Sequence, residues 1–300
     1  MAGIAVVVLG AAGVKFSNVV TRPKRRSLDS AMQEMLEHGI MPAEQVAAMK
    51  SERFEVISPY GYPLLGQWFE PEGLPSDKAI VIAHGYGYNR VGSLKYVSLF
   101  LNRGFHVIIY DHRNSGESGG DQTSMGYREK DDLKTIVDAV SARLGDGARI
   151  GTHGESMGAA TVLLHAAMDP RVRFVIADCP YADLKEQLAY RLAVEYKLPS
   201  FPVLDAASVV TRMRDGYLFR DISPLQAIQD KNGLPDIPML FIHGLEDDYI
   251  PPRASEKLHA AKKGISRLHL MPDAKHAASI HVHAEEYERV TASFLDEIGF

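Results

Sequence analysis

The chain has 300 residues, enough for one large domain or two small ones, and its 46% hydrophobic and 24% charged residues are typical of a globular protein. A net charge of −5, with basic residues clustered only at 22–26, excludes a nucleic-acid-binding protein with a broad basic surface. The single cysteine, Cys179, excludes an intrachain disulfide; because it follows an apolar run, we expect a buried thiol rather than a reactive one.

The first 26 residues form an N-terminal hydrophobic segment followed by a basic cluster. Residues 2–20 are almost long and apolar enough to span a membrane, but Lys15 and Asn18 interrupt them. A secretory signal has its positive charge before the apolar stretch, whereas here the charge follows it. If the segment spans a membrane, that charge keeps the rest of the chain in the cytoplasm. The sequence thus predicts a cytoplasmic protein, with segment 2–20 either membrane-associated or a helix of a soluble protein.

Residues 27–52 are predicted to form two short helices. Leu28, Met32, Met35 and Leu36 fall on one face of the first helix, and Gly39 can end it. Pro42 suits the first position of the second helix. The methionines are typical of core packing.

From residue 53 the pattern changes to strands alternating with helices, which indicates an α/β fold with a mostly parallel central sheet flanked by helices. Continuous apolar runs such as "AIVIA" and "HVIIY" are typical of parallel strands buried on both faces. Predicted strands lie at 53–57, 64–69, 79–83, 106–110, 149–152, 174–177, 238–242 and 267–270.

One connection, between the strands ending near 177 and starting near 238, is much longer than a crossover requires. Its apolar periodicity predicts a helical cap insertion at 181–235, which divides the α/β core into 53–180 and 236–300. Because ligands of α/β enzymes bind at the carboxyl ends of the strands, we expect this insertion to act as a lid.

The stretch Gly154-Glu155-Ser156-Met157-Gly158 lies between a predicted strand and a predicted helix. A nucleophile elbow needs this context, because its sharp turn tolerates only small neighbours. Ser156 is therefore the candidate nucleophile, and the alternative is a structural serine in a tight turn. A serine hydroxyl also needs a histidine base that is held by an acid.

His276 is the candidate base, because it lies in a loop after the last predicted strand, where it can reach the carboxyl edge of the sheet. Four acids are candidates: Glu246, Asp247 and Asp248 follow one strand, and Asp178 ends another. The spacing alone leaves these four open. His281 and His283 form an H-x-H pattern, but two ligands do not make a metal site, so no metal is predicted.

The oxyanion hole needs two backbone N–H donors. Met157 supplies one, because it follows the nucleophile, and the loop "AHGYGYN" offers Tyr86 as the other. The phenol of Tyr86 is a candidate for a second contact. The alternative for this loop is a glycine-rich turn with aromatic packing.

These motifs resemble those of the α/β-hydrolase superfamily over residues 53–298. They run in that superfamily's order: "AHGYGYN", "YDHRNSGESGG", "GESMG", "HGLEDDYIPP" and "DAKH". The resemblance places the acid on Asp247. Asn114-Ser115 departs from the usual Arg-Gly in a turn that we interpret as structural. Among superfamily members, the chain looks most similar to bacterial esterases and to serine-aminopeptidase-like and lysophospholipase-like hydrolases with a helical cap.

The sequence therefore predicts a serine hydrolase that cleaves small-molecule acyl esters, a carboxylesterase without a cofactor. An exopeptidase acting on amides is the first alternative; it needs a charged group near the site, for which the insertion offers Glu186, Arg191 and Glu195. A catalytically inactive binding protein on a hydrolase scaffold is the second.

Overall fold

Eight strands form one mostly parallel sheet in the computed structural model, which describes residues 2–73 and 75–300, with side chains from residue 9 onward. The strands are β1 (Glu52–Ile57), β2 (Pro63–Phe69), β3 (Lys78–Ala83), β4 (His106–Tyr110), β5 (Arg149–Glu155), β6 (Val172–Asp178), β7 (Met239–Gly244) and β8 (Ser266–Met271). Their order across the sheet is β1-β2-β4-β3-β5-β6-β7-β8, and β2 pairs antiparallel with both of its neighbours. The predicted α/β class is confirmed.

Helices cover both faces of the sheet. They are α1 (Ala2–Thr21), α2 (Leu28–Glu37), α3 (Ala43–Ala48), α4 (Leu94–Leu101), α5 (Glu129–Leu144), α6 (Met157–Ala166), α7 (Leu184–Tyr196), α8 (Val203–Asp215), α9 (Pro224–Asp230), α10 (Arg253–Ala261), α11 (Ser279–Val282) and α12 (Ala284–Glu297). Side chains of β3 alternate between two cores: Val81 belongs to the core that includes residues of α5, α6 and α10, and Ile82 to the core that includes residues of α2, α4 and α12. Both faces are apolar, as the continuous hydrophobic runs predicted.

The N-terminal segment is a helix that packs lengthwise on α8. Gly13 allows the close approach, because a Cβ on it would lie 3.0 Å from the carbonyl carbon of Ala206. Ser17 and Thr211 share a buried hydrogen bond of 2.7 Å between their hydroxyls, and Arg22 pairs with the buried Asp215 at 3.1 Å. In the part of the chain that the structure describes, no helix has the length and hydrophobicity needed to cross a membrane.

Three helices, α7, α8 and α9, fill the long connection between β6 and β7. Asp183 caps α7 by accepting a hydrogen bond from the Glu186 N–H, and Ser223 caps α9 in the same way through Gln226. These helices lie in the stretch for which a helical insertion was predicted, and residues of α7 and α8 share a hydrophobic cluster with Val20 of α1.

The turn between β5 and α6 depends on glycines that allow backbones to touch. A Cβ on Gly158 would lie 2.1 Å from the carbonyl oxygen of Ala83 in β3, and one on Gly154 would lie 2.3 Å from the carbonyl oxygen of Gly158. No side chain fits at either position unless the backbone shifts.

We expect Gly158→Ala to lower the free energy of unfolding by about 3 kcal/mol, because overpacking against a rigid backbone forces a shift of β3 or α6. Urea unfolding would measure this change. Gly10→Ala is the matched control: Gly10 is also helical but has no atom within 4 Å of an added Cβ, so the variant should gain up to about 1 kcal/mol. Equal stability of the two variants would contradict this account of the turn.

Candidate functional site

Ser156 lies at the tip of the turn between β5 and α6 with φ 56° and ψ −116°. This left-handed conformation is strained for a residue with a side chain, and such strain concentrates at functional sites. The turn is held in place because the Ser156 N–H donates to the carbonyl oxygen of Asp178 at 2.8 Å. The geometry is that of the nucleophile elbow that the sequence pattern predicted.

A chain of hydrogen bonds joins Ser156, His276 and Asp247. Nε2 of His276 lies 2.9 Å from Oγ of Ser156, and Nδ1 of His276 lies 2.7 Å from Oδ2 of Asp247. The loops after β5, β7 and β8 supply the three residues, so they meet at the carboxyl edge of the parallel sheet. The structure thus brings together the three residues that the sequence selected for one site.

The surroundings of the four candidate acids separate Asp247 from the others. Asp247 is buried, and its Oδ1 accepts hydrogen bonds from the N–H groups of Tyr249 and Ile250 at 2.9 and 2.8 Å. Glu246 and Asp248 are exposed on the same loop. Asp178 faces Tyr96, whose hydroxyl donates to it at 3.1 Å, and burial raises the pKa of Asp178 to about 6.

A second histidine, His243, also contacts Asp247. Nε2 of the buried His243 donates to the Ile250 carbonyl at 2.7 Å and lies 3.2 Å from Oδ2 of Asp247. Burial alone would raise the pKa of Asp247, but hydrogen bonds from His243 and His276 hold it well below its usual range. Asp247 therefore stays ionised beside His276. The sequence contained His243 only as part of a motif and gave no sign of this contact.

The loop after β3 lies beside Ser156. A Cβ on Gly85 would lie 3.6 Å from Cβ of Ser156, so the backbone of the next residue, Tyr86, begins close to Ser156. Across the described ranges, the backbone N–H groups of Tyr86 and Met157 form no hydrogen bond. The phenol of Tyr86 turns away from this position and donates to the Val19 carbonyl of α1. Our expectation of a second contact from the phenol was therefore wrong.

A largely buried ion pair links the turn at Ser156 to the His276 loop. Glu155, next to Ser156, pairs with Lys95 of α4 and accepts a hydrogen bond from the Tyr96 hydroxyl at 2.6 Å. Lys95 also donates to the carbonyl oxygen of Ala277, the neighbour of His276, at 3.1 Å. Burial disfavours the charged lysine, but the Glu155 carboxylate outweighs this effect and raises the pKa of Lys95. Sequence reasoning assigned no role to either residue.

Ser156 opens into an apolar cavity of about 110 Å³ under the inserted helices. Three elements that are distant in sequence form its walls, and the lining includes Phe16, Val19 and Val20 of α1, Leu184, Leu188 and Leu192 of α7, and Val203, Leu204 and Ala207 of α8. The N-terminal segment is thus a wall of the cavity, which its sequence did not indicate.

The charged residues of the insertion are already paired. Arg191 and Glu195 line the cavity but form a salt bridge of 2.5 Å, and Arg191 also stacks on the Tyr249 ring at 4.1 Å. Glu186 lies outside the cavity and pairs with Lys257 at 2.7 Å. The cavity therefore presents an almost uncharged surface to a ligand.

Metal-ligating side chains come together at one place in the described residues, where atoms of Cys179, Asp247 and His276 lie within 4.8 Å of one another. Asp247 and His276 already bond each other, and burial raises the pKa of the Cys179 thiol, which disfavours the thiolate that a metal needs. His283 bonds the Pro272 carbonyl at 2.8 Å instead of facing this group.

The sheet order, the strained serine turn and the inserted helices together define an α/β hydrolase. A model of the prolyl oligopeptidase family matches residues 93–299, and the chain belongs to this family. The uncharacterized protein YqkD of Bacillus subtilis is 39% identical over 299 residues, which cover 99% of this chain and 96% of that protein.

Solved structures support the same fold. The Pyrococcus furiosus esterase Pf2001 superposes with a TM-score of 0.70 at 22% identity, covering 92% of this chain and 98% of that chain. An acylaminoacyl peptidase of Pyrococcus horikoshii superposes with a TM-score of 0.64 at 17% identity, over 83% of this chain and 41% of the peptidase. The predicted resemblance to α/β hydrolases is confirmed, and it indicates a hydrolytic enzyme.

We expect Asp247→Asn to lower kcat on a short activated ester by about three to four orders of magnitude, because an amide stabilises the wrong tautomer of the histidine. Asp178→Asn is the matched control, since Asp178 is a buried carboxylate that does not contact His276, and it should lose less than about tenfold. Steady-state kinetics at saturating substrate would measure both. Equal losses in two folded variants would contradict the assignment of Asp247.

We expect Lys95→Met to lose about 3 kcal/mol of stability, because it leaves the largely buried Glu155 carboxylate without its cationic partner. It should also lower kcat about tenfold, since Ala277 loses the donor that holds the His276 loop. In the double variant Lys95→Met/Glu155→Gln, stability should recover while kcat stays low. Recovery of kcat together with stability would show that Lys95 does not position His276.

Proposed function

We propose that this protein is a serine carboxylesterase that hydrolyses esters with an apolar acyl chain. The observation that carries the proposal is the position of Ser156, bonded to His276, at the end of an apolar cavity whose charged side chains neutralise each other. A cavity of this kind favours an uncharged, apolar group near the reacting carbonyl.

In the proposed mechanism, Ser156 Oγ attacks the ester carbonyl while His276 Nε2 takes its proton. Asp247 keeps the proton of His276 on Nδ1 and stabilises the imidazolium. The N–H groups of Tyr86 and Met157 hold the oxyanion, and His276 then protonates the departing alcohol. A water molecule, activated by His276, attacks the acyl-enzyme; collapse of the second tetrahedral intermediate releases the carboxylic acid and Ser156.

The family match keeps a serine exopeptidase as the alternative function. An exopeptidase binds the charged terminus of its substrate, which requires a free charge near the nucleophile. Arg191 and Glu195 pair with each other, and Glu186 pairs with Lys257 outside the cavity. These pairings favour the ester substrate over the peptide.

Hydrolysis of p-nitrophenyl esters with acyl chains of rising length, beside aminoacyl anilides, tests the proposal. We expect ester hydrolysis and no anilide hydrolysis, with loss of activity and of fluorophosphonate labelling in Ser156→Ala. Faster anilide than ester cleavage would favour the exopeptidase, and a wild-type enzyme that is neither labelled nor active would support the inactive binding protein.

Chain-length preference tests whether the cavity holds the acyl chain. Each buried methylene contributes about 0.8 kcal/mol, so kcat/KM should rise about fourfold per added methylene until the cavity is full. Leu188→Ala enlarges the cavity, so its optimum should shift to longer chains. Leu225→Ala, at an equally half-buried leucine outside the cavity on α9, is the control and should keep the wild-type optimum. The same optimum in both variants would place the acyl chain elsewhere.

A further inference from the structure

Exposed apolar side chains surround the mouth of the cavity. Val19 and Tyr196 line the cavity and are also 48% and 41% exposed. Tyr196 packs edge-on against Phe16, with ring centroids 4.9 Å apart, which joins α1 to the end of α7. We define the mouth patch as Val19, Tyr196, Leu198 and Phe201.

The mouth patch continues through the tip of the α7–α8 hairpin. Residues 193–202, "AVEYKLPSFP", are all exposed except Ser200, and Phe201 is 74% exposed. If the hairpin tip contacted only water, the exposure of several large apolar side chains on it would be unfavourable. A concentration of exposed large apolar side chains on one short segment beside a cavity mouth favours an interaction site.

Positive charge accompanies the mouth patch. Five basic residues precede Asp29, the first acidic residue of the chain, and two of them, Arg22 and Arg26, pair with Asp215 and Glu34. Lys15 and Lys197 are exposed, and among the residues described neither has a carboxylate within 4 Å. The acid of the hairpin tip, Glu195, is neutralised by Arg191. The surface around the patch is therefore apolar and basic.

We propose that the mouth patch docks on an anionic lipid surface, with the cavity opening toward the lipid. Apolar side chains flanked by basic ones bind such surfaces by inserting below the headgroups and attracting their charge. A protein seated on the patch would cover the mouth that leads to Ser156, whereas a lipid surface supplies apolar molecules to it. The docking surface is independent of the reaction, so it can be tested without catalysis.

Flotation of the full-length Ser156→Ala protein with vesicles tests the proposal. We expect binding to vesicles of 30% phosphatidylglycerol in phosphatidylcholine, weaker binding to pure phosphatidylcholine, and weakening by salt. Adding Leu198→Glu and Phe201→Glu should weaken binding about tenfold or more, because two apolar contacts are lost and two repulsive charges added. Met168→Glu, at another exposed apolar residue just beyond the far end of α6, is the matched control and should bind as the parent does.

Thermal unfolding midpoints within a few degrees of the parent would show that the variants are folded. Three results would overturn the proposal: no binding of the parent protein to anionic vesicles, equal binding by the patch variant, or equal binding to neutral vesicles. A dimer that the patch variant dissociates would assign the patch to contacts between copies of the chain, and would overturn it as well.

Discussion

The backbone of Ser156 stays in a left-handed conformation because glycines on either side of it let the neighbouring backbone segments pack closely. Gly154 and Gly158 let β3, β5 and α6 approach to distances that a Cβ would block, and the Ser156 N–H is tied to β6. The turn therefore cannot relax, and the serine hydroxyl stands at the carboxyl edge of the sheet. His276 and Asp247 reach it because their strands end at the same edge.

The charged side chains near Ser156 form two groups, one buried and one largely buried. On one side, Asp247 is held ionised by two backbone N–H groups and two histidines, which keeps it ready to orient His276. On the other side, Lys95 and Glu155 connect the elbow with the residue after His276. Both groups are fully partnered, so their charges stabilise the site's geometry and leave the cavity itself apolar.

The N-terminal helix contributes to the cavity beside Ser156. Its apolar residues complete the cavity wall with α7 and α8, and the Val19 carbonyl accepts the hydrogen bond of Tyr86 from the loop beside the serine. The wall of the cavity beside Ser156 therefore combines the insertion and the start of the chain with residues of core loops such as Tyr86, Met125 and Tyr249.

The sequence by itself determined the eight strands to within a few residues, because local apolar periodicity and turn residues decide them. It also singled out Ser156 and His276, since an elbow between a strand and a helix and a histidine after the last strand are local patterns. The spacing of the residues left four acids open, and only the resemblance to a family motif pointed to Asp247. Tertiary structure separates the adjacent Glu246, Asp247 and Asp248, because the fold of the loop buries Asp247 against His276 and leaves the other two exposed. It likewise decided the place of α1, because burial of apolar surface has no direction and a hydrophobic segment does not encode its partner. The sequence also did not indicate the Lys95–Glu155 pair, because these residues are 60 positions apart and meet only when α4 packs beside the turn at Ser156.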